Sequence, residues 1–430
     1  MKTLESLYSL FLKHRIVSTD SRNLKKDAIF FALRGDNFDG NQYVLQAIEN
    51  GAVAAVSDRT EYKDHPQVWV VDDTLSALQQ LALMHRKAMP VRVIGITGSN
   101  GKTTTKELVA AVLSKKYKVL HTTGNLNNHI GVPLTLLQLK PDTELAVIEM
   151  GANHQGEIAA LSRLAMPDFG LITNIGKAHL EGFGSFTGVI NAKSELYAYL
   201  DDHGGKVFVN TDNALLERLS HKMNRFTYGQ NNKAEVYGEL VSDDPFLTLV
   251  WEYQSRQAMI HTQITGQYNF ENIMAAVAVG NFFEVETSEI VEAIENYLPA
   301  NHRSQLIETD RNQLLMDAYN ANPTSMEAAL MNFSKRCGRR SMLILGDMLE
   351  LGNESEAEHA NILKLVIDLG FRNVVLVGPE FEKVYAGNDW IHVNKVEELI
   401  SRYKDEAPTG YEILIKGSRG IRLEKLLPFL

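Results

Sequence analysis

Val91-Arg92-Val93-Ile94-Gly95-Ile96-Thr97-Gly98-Ser99-Asn100-Gly101-Lys102-Thr103-Thr104 is the stretch whose reading decides the fold. Its first half is a β-branched apolar run and predicts a strand. A glycine loop follows, then a helical pattern over about 102–115. Strand, glycine loop and helix together are the context a phosphate-binding loop requires. The glycines let the backbone curl so that its N–H groups face phosphate oxygens, and the helix N-terminus adds partial positive charge. Lys102 is placed to reach the β- and γ-phosphates, and the Thr103 hydroxyl to ligate magnesium. Gly98, Ser99, Asn100, Gly101 and Thr104 complete the cradle. The commoner spacing puts a glycine at position 96, where this chain has Ile96, so the loop is a variant.

Around this loop the chain reads as α/β throughout. After it, apolar runs at Leu145 to Met150, Gly170 to Ile175 and Val207 to Val209 alternate with helical patterns. Strands apolar on both faces and separated by helices predict a doubly wound parallel sheet. Between 225 and 265 the pattern becomes alternating, as in Leu247-Thr248-Leu249-Val250-Trp251, which predicts a small antiparallel appendage. The stretch before the loop, residues 1–90, reads as a small α/β domain. Leu4, Leu7, Leu10 and Phe11 give its first helix, and apolar runs lie at 28–33, 52–56 and 68–71. The stretch from 300 to 430 repeats the βαβ pattern, with strands expected at 314–316, 342–345, 374–377 and 413–415. Three domains result, at 1–90, 91–299 and 300–430, the last Rossmann-like.

Composition narrows the partners. The 430 residues carry 43 Lys plus Arg against 53 Asp plus Glu, a net charge of −10. That argues against a nucleic-acid binder, which grips phosphate backbones with clustered cations. Hydrophobic residues at 44% and charged residues at 22% suit a globular protein with sizeable cores. The single cysteine, Cys337, rules out a disulfide within the chain and a thiolate-based zinc site, and fits a reducing compartment. No apolar run approaches the roughly 18 residues of a spanning helix. The expected location is the cytoplasm.

Other candidates lie after predicted strands, where ligands of open α/β sheets bind. Glu149 ends one run and suits magnesium as a hard oxygen ligand. His179 follows the next, and a loop histidine by itself is more often a surface or capping residue. Lys193 falls on a predicted helix, and on side-chain physics alone reads as a solvated lysine.

Together these residues resemble the Mur ligase family. The run from Gly95 to Thr104 is similar to that family's ATP loop, which tolerates the missing first glycine. The resemblance implies that Glu149, His179 and Lys193 hold metal, with Lys193 carbamylated and therefore an anionic ligand. Asp317-Ala318-Tyr319-Asn320-Ala321-Asn322-Pro323 is similar to the branch that adds D-alanyl-D-alanine to UDP-N-acetylmuramoyl-tripeptide. So are Asn125 to Pro133, Gly346 to Gly352 and Lys416 to Gly420. The resemblance further implies ATP contacts from Asn269, Asn272, Arg303 and Asp317, and UDP-sugar contacts from Ser21, Arg22 and Asn41. Position 41 usually holds histidine in relatives. Lys416, Ser418 and Arg419 are implied near the dipeptide. The expected function is ATP-dependent amide ligation through an acyl phosphate in peptidoglycan precursor synthesis, by a monomer. Two rivals stay open: a superfamily ligase with another amino-acid substrate, and a non-catalytic nucleotide-binding protein.

Overall fold

β-Branched runs broken by glycine and capped helices give alternating strands and helices along most of the chain. In the computed structural model, which describes residues 2–35, 37–299, 303–338, 340–385, 387 and 389–430, they assemble three main sheets. The expected boundary at residue 300 lies outside the described residues. The first sheet is parallel, in the order Val17–Ser18, Ile29–Phe31, Ala54–Ser57, Val68–Val70. Its leading helix, Leu4–His14, buries Leu7 and Phe11 as the spacing predicts. A short hairpin, Arg34–Gly35 with Phe38–Asp39, stands beside it.

The central sheet has nine strands among the described residues. The loop strand, Arg92–Thr97, lies between Phe169–Ile172 and Leu145–Glu149, parallel to both. From it the chain first crosses to the edge strand Val119–His121 and returns, then continues on the other side. That reversal of winding opens a crevice at the strand's carboxyl end. Ile96 pairs with Glu149 across the ladder, which brings the carboxylate beside the loop.

The expected antiparallel appendage is present but begins later than residue 225. Asn224–Gly229 is parallel to its neighbour Lys206–Asn210 and extends the central sheet. Val236–Ser242 then joins through only two residue pairs before turning into the antiparallel strands Thr248–Tyr253 and Arg256–His261. Alternation reported one solvated face, and pairing partners leave no trace in periodicity.

The third sheet orders Gln305–Glu308, Gln313–Asp317, Glu412–Lys416, Ser341–Gly346, Asn373–Val377 and Ile391–Val393, parallel except for the first hairpin. Its register sets Asp317 against Lys416 at the carboxyl edge. No helix among the described residues is long and apolar enough to cross a membrane.

Candidate active site

The loop glycines are required twice over. Gly98 (φ 145°) and Gly101 (φ 77°) hold backbones that strain any L side chain. A Cβ on Gly98 would stand 2.0 Å from Thr173 Oγ1, and one on Gly101 2.4 Å from Asn272 Oδ1. The next strand's loop fixes the curl. Ser99 N–H donates to Asn174 O at 2.9 Å and Asn100 N–H to Asn174 Oδ1 at 3.0 Å, while Thr173 Oγ1 donates to Asn100 O at 2.5 Å. Gly101 caps the helix Lys102–Leu113 without a side-chain hydrogen bond, so the first amides stay available to an anion. Lys102 Nζ curls back to Gly98 O at 2.8 Å and Ser99 O at 3.1 Å. Burial pulls its pKa down, and Glu149 opposes the shift.

Ser99 to Thr104 line a cavity of about 830 Å³ at the crevice. Glu149, His179, Asn269, Asn272, Arg303, Asp317 and Lys416 line it too, with Gln79 and Leu83 of the first domain. All three domains of one chain therefore meet around one space.

Glu149 is buried at the strand end, and Asn127 Nδ2 donates to its Oε1 at 2.7 Å. Its Oε2 is buried with no hydrogen-bond partner. A buried carboxylate oxygen without a partner is costly unless a cation sits there, which fits a hard metal ion. His179 opens the short helix Leu180–Phe183 in a left-handed conformation (φ 53°). Its Nδ1 meets the carboxylate of Glu350 of the third domain in direct contact.

Lys193 departs from the solvated lysine that side-chain physics predicts. It lies on the helix Phe186–Asp202 and is 1% exposed. Ala152 O lies 3.4 Å from Nζ, and the Phe183 ring centroid is 5.1 Å away. Burial, helped by nearby Lys102, brings its pKa down to about 7. With a large neutral fraction near pH 7, about half, the amine is nucleophilic, as carbamylation requires.

Asn269 and Asn272 form a relay. Thr105 Oγ1 donates to Asn272 Oδ1, Asn272 Nδ2 to Asn269 Oδ1, and Asn269 Nδ2 to Thr265 O, at 3.0, 2.8 and 2.8 Å. Asn269 precedes the helix Phe270–Phe282 and its side chain makes no capping hydrogen bond there. The relay instead ties the loop helix to the cavity wall.

In the third domain, Lys416 Nζ donates to Asp317 Oδ2 at 2.6 Å, so each neutralises the other. Ser418 lies behind the cavity wall, donating to Ala321 O at 3.3 Å and accepting from Leu349 N–H at 2.9 Å. Arg303 sits 3.6 Å over the Tyr319 ring and Arg419 5.5 Å from the same centroid. Arg303 Nε is buried without a hydrogen-bond partner.

Ser21, Arg22 and Asn41 do not line this cavity. Arg22 pairs with Asp20 at 2.8 Å in an exposed turn. Asn41 is buried, donating to Asp39 and Asp58 at 2.8 Å each and accepting from Ser57 Oγ at 2.6 Å. Position-by-position reading passed over Asn127, Tyr319 and Glu350. All three lie in segments that carried the family resemblance, which was their one signal.

The chain is similar to known proteins over nearly its whole length. Family models described as Mur ligase family, catalytic domain, Mur ligase middle domain, and Mur ligase, glutamate ligase domain match residues 13–122, 96–280 and 302–419. UDP-N-acetylmuramoyl-tripeptide–D-alanyl-D-alanine ligase of Bacillus subtilis is 36% identical over 96% of this chain and 92% of its own. The enzyme of that name from Escherichia coli is also 36% identical, with the same coverage. Among solved structures, MurF from Acinetobacter baumannii superposes with a TM-score of 0.85 at 32% identity, covering 96% of this chain and 92% of that one. MurF ligase from Thermotoga maritima, in complex with ADP, reaches 0.85 at 24% identity over 100% and 98%.

Proposed function

The chain belongs to the Mur ligase family, and from that premise we propose that it joins D-alanyl-D-alanine to UDP-N-acetylmuramoyl-tripeptide at the expense of ATP. The observation that carries the reading is the cavity where the glycine loop, Glu149, His179 and the third domain's Arg303 and Lys416 converge. A carboxylate is a poor electrophile. Transfer of the γ-phosphoryl group makes it an acyl phosphate, which the dipeptide amine then attacks with release of phosphate. The protein's task is to align three anionic partners and offset their charge.

Lys102 and the loop amides would hold the transferring phosphates, with Asn269, Asn272, Arg303 and Asp317 around the rest of the nucleotide. Among the described residues no three His, Cys, Asp or Glu side chains form a ready cation site. Glu149 and His179 supply two donors, so the reading adds Thr103 and a carbamate on buried Lys193 as oxygen donors. Magnesium held there would supply charge neutralisation at the phosphates. Residues 1–90, through Ser21, Arg22 and Asn41, would take the UDP-sugar. Residues 91–299 would take ATP, and 300–430 the dipeptide, at Lys416, Ser418 and Arg419. Because one chain lines the whole cavity, the reading takes the enzyme to work as a monomer, in the cytoplasm.

The test is phosphate release from ATP with UDP-muramoyl-tripeptide, with and without D-alanyl-D-alanine, followed by product mass. The reading expects dipeptide-dependent release and a product heavier by one dipeptide less water. Release indifferent to the dipeptide would favour a nucleotide switch. A product formed only with another amine would favour a sister ligase.

A further inference from the structure

We propose that Glu350 is a positioning residue for His179. When the third domain docks, its carboxylate accepts the Nδ1 hydrogen bond of the imidazole and leaves Nε2 as the nitrogen offered to the cation. The inference rests on the reading of His179 as a metal ligand and adds a residue from another domain to that task.

Several observations meet at this contact. His179 Nδ1 and the Glu350 carboxylate stand in direct contact across the domain junction. Both hold left-handed backbones, φ 53° and 64°, which non-glycine residues adopt at a cost and keep only where the surroundings impose it. Glu181 N–H donates to Glu350 O at 3.2 Å, so the same residue grips the histidine loop by backbone as well as side chain. Gly352 (φ 54°) lies so close to Glu181 that a Cβ would stand 3.2 Å from its side chain. Lys177 Nζ pairs with Glu358 at 2.5 Å on the flank. The 177–182 loop is therefore clasped by 350–358.

The chemistry follows from the partner. An ionised carboxylate can only accept, so the imidazole proton sits on Nδ1 and the lone pair on Nε2. Histidines that bind metals commonly donate their other ring N–H to a carboxylate, which fixes tautomer and ring orientation. Here that carboxylate arrives with a separate domain. Docking then strengthens cation binding, and by linkage the cation strengthens docking by the same factor.

The test titrates Mn²⁺ into the full chain with a non-hydrolysable ATP analogue and reads free ion by electron paramagnetic resonance. It compares the wild type, Glu350→Ala, Glu350→Gln, His179→Ala and the Glu350→Ala/His179→Ala double variant. Glu350→Ala is expected to weaken Mn²⁺ binding by about 10- to 100-fold, a usual loss when such a carboxylate is removed. Glu350→Gln, which keeps an acceptor oxygen, should recover part of it. The double variant should bind no more weakly than His179→Ala alone. Wild-type affinity in Glu350→Ala, or losses that add in the double variant, would overturn the proposal while leaving His179 a ligand. Unchanged affinity in His179→Ala would overturn both.

Discussion

The central domain has two seams on one continuous apolar core, and polar side-chain pairs weigh more at the second. Against the first domain it packs the helix Thr74–Ala88, whose buried Leu78, Leu81 and Ala82 share one core with Val132, Leu136 and Leu161. Arg86 locks that seam: its guanidinium donates to Ala165 O, Met166 O and Met89 O at 2.8, 3.0 and 3.1 Å. His85 lies beside it, fully buried, with Nε2 2.8 Å from Leu139 O. Against the third domain the loops around the cavity meet through side-chain pairs: His179 with Glu350, Lys177 with Glu358, and Asn322 Nδ2 donating to Asn100 Oδ1 at 2.7 Å. The same apolar core continues into third-domain residues such as Met348 and Leu351, so opening either seam costs apolar burial, but the second adds polar pairs with part-exposed members such as Lys177, which exchange with water at less cost. The first seam fixes where the first domain stands. The second suits a domain that docks and releases with each turnover.

The two seams make separable predictions, largest first. Lys193→Ala removes a buried side chain that stands behind Ala152 of the cavity wall, and ligation should fall by at least about 100-fold. Added acetate or formate should restore part of it in a steady-state assay, as substitute oxygen donors. Near-normal turnover without them would return Lys193 to a structural role. Arg419→Ala, on the exposed rim of the docking domain, should raise the dipeptide's Michaelis constant by about 10- to 100-fold, the worth of one charge-assisted pair. The constants for ATP and UDP-tripeptide should hardly move. An equal rise for all three would place the dipeptide carboxylate elsewhere.

At the fixed seam the effects should fall on stability. Arg86→Ala strips donors from buried carbonyls and should cost about 2–4 kcal/mol, read as an earlier first transition in urea. Burial also lowers the pKa of His85. The unfolded chain therefore binds a proton there more readily than the folded one. Stability should fall as pH drops below the ordinary histidine value of about 6.5. A His85→Gln variant should lose that part of the acid sensitivity. At the docking seam, Lys177→Ala should cost under about 1 kcal/mol, because the lysine side chain is 50% exposed. It should still slow turnover a few-fold. A large stability loss there would erase the contrast between the seams.

Much of this was legible before the structure. Strand, glycine loop and helix from Val91 onward announce themselves locally, and Glu149 follows because a parallel sheet aligns strand ends. What escaped was set by distant pairing. The Asp317–Lys416 ion pair depends on a register between strands far apart in the chain. The burial of Lys193 depends on which helix face meets Phe183 and Ala152, and a lone lysine on a helix carries no mark of that. The edge strands Gln305–Glu308 and Ile391–Val393 are too short for periodicity to reveal. Tyr319, Asn127 and Glu350 act through partners on other elements, so only the structure gives them a place.

The central claim is that a carboxylate is activated as an acyl phosphate in the cavity between the seams. The most direct measurement is positional isotope exchange in ATP carrying ¹⁸O at the β,γ-bridge, with magnesium and UDP-muramoyl-tripeptide present and the dipeptide withheld. Reversible transfer of the γ-phosphoryl group frees the β-phosphate of ADP to rotate, so the label should move into non-bridging positions in the wild type and not in Lys102→Ala. A label that stays in the bridge, no more mobile than with ATP and magnesium alone, would contradict the account.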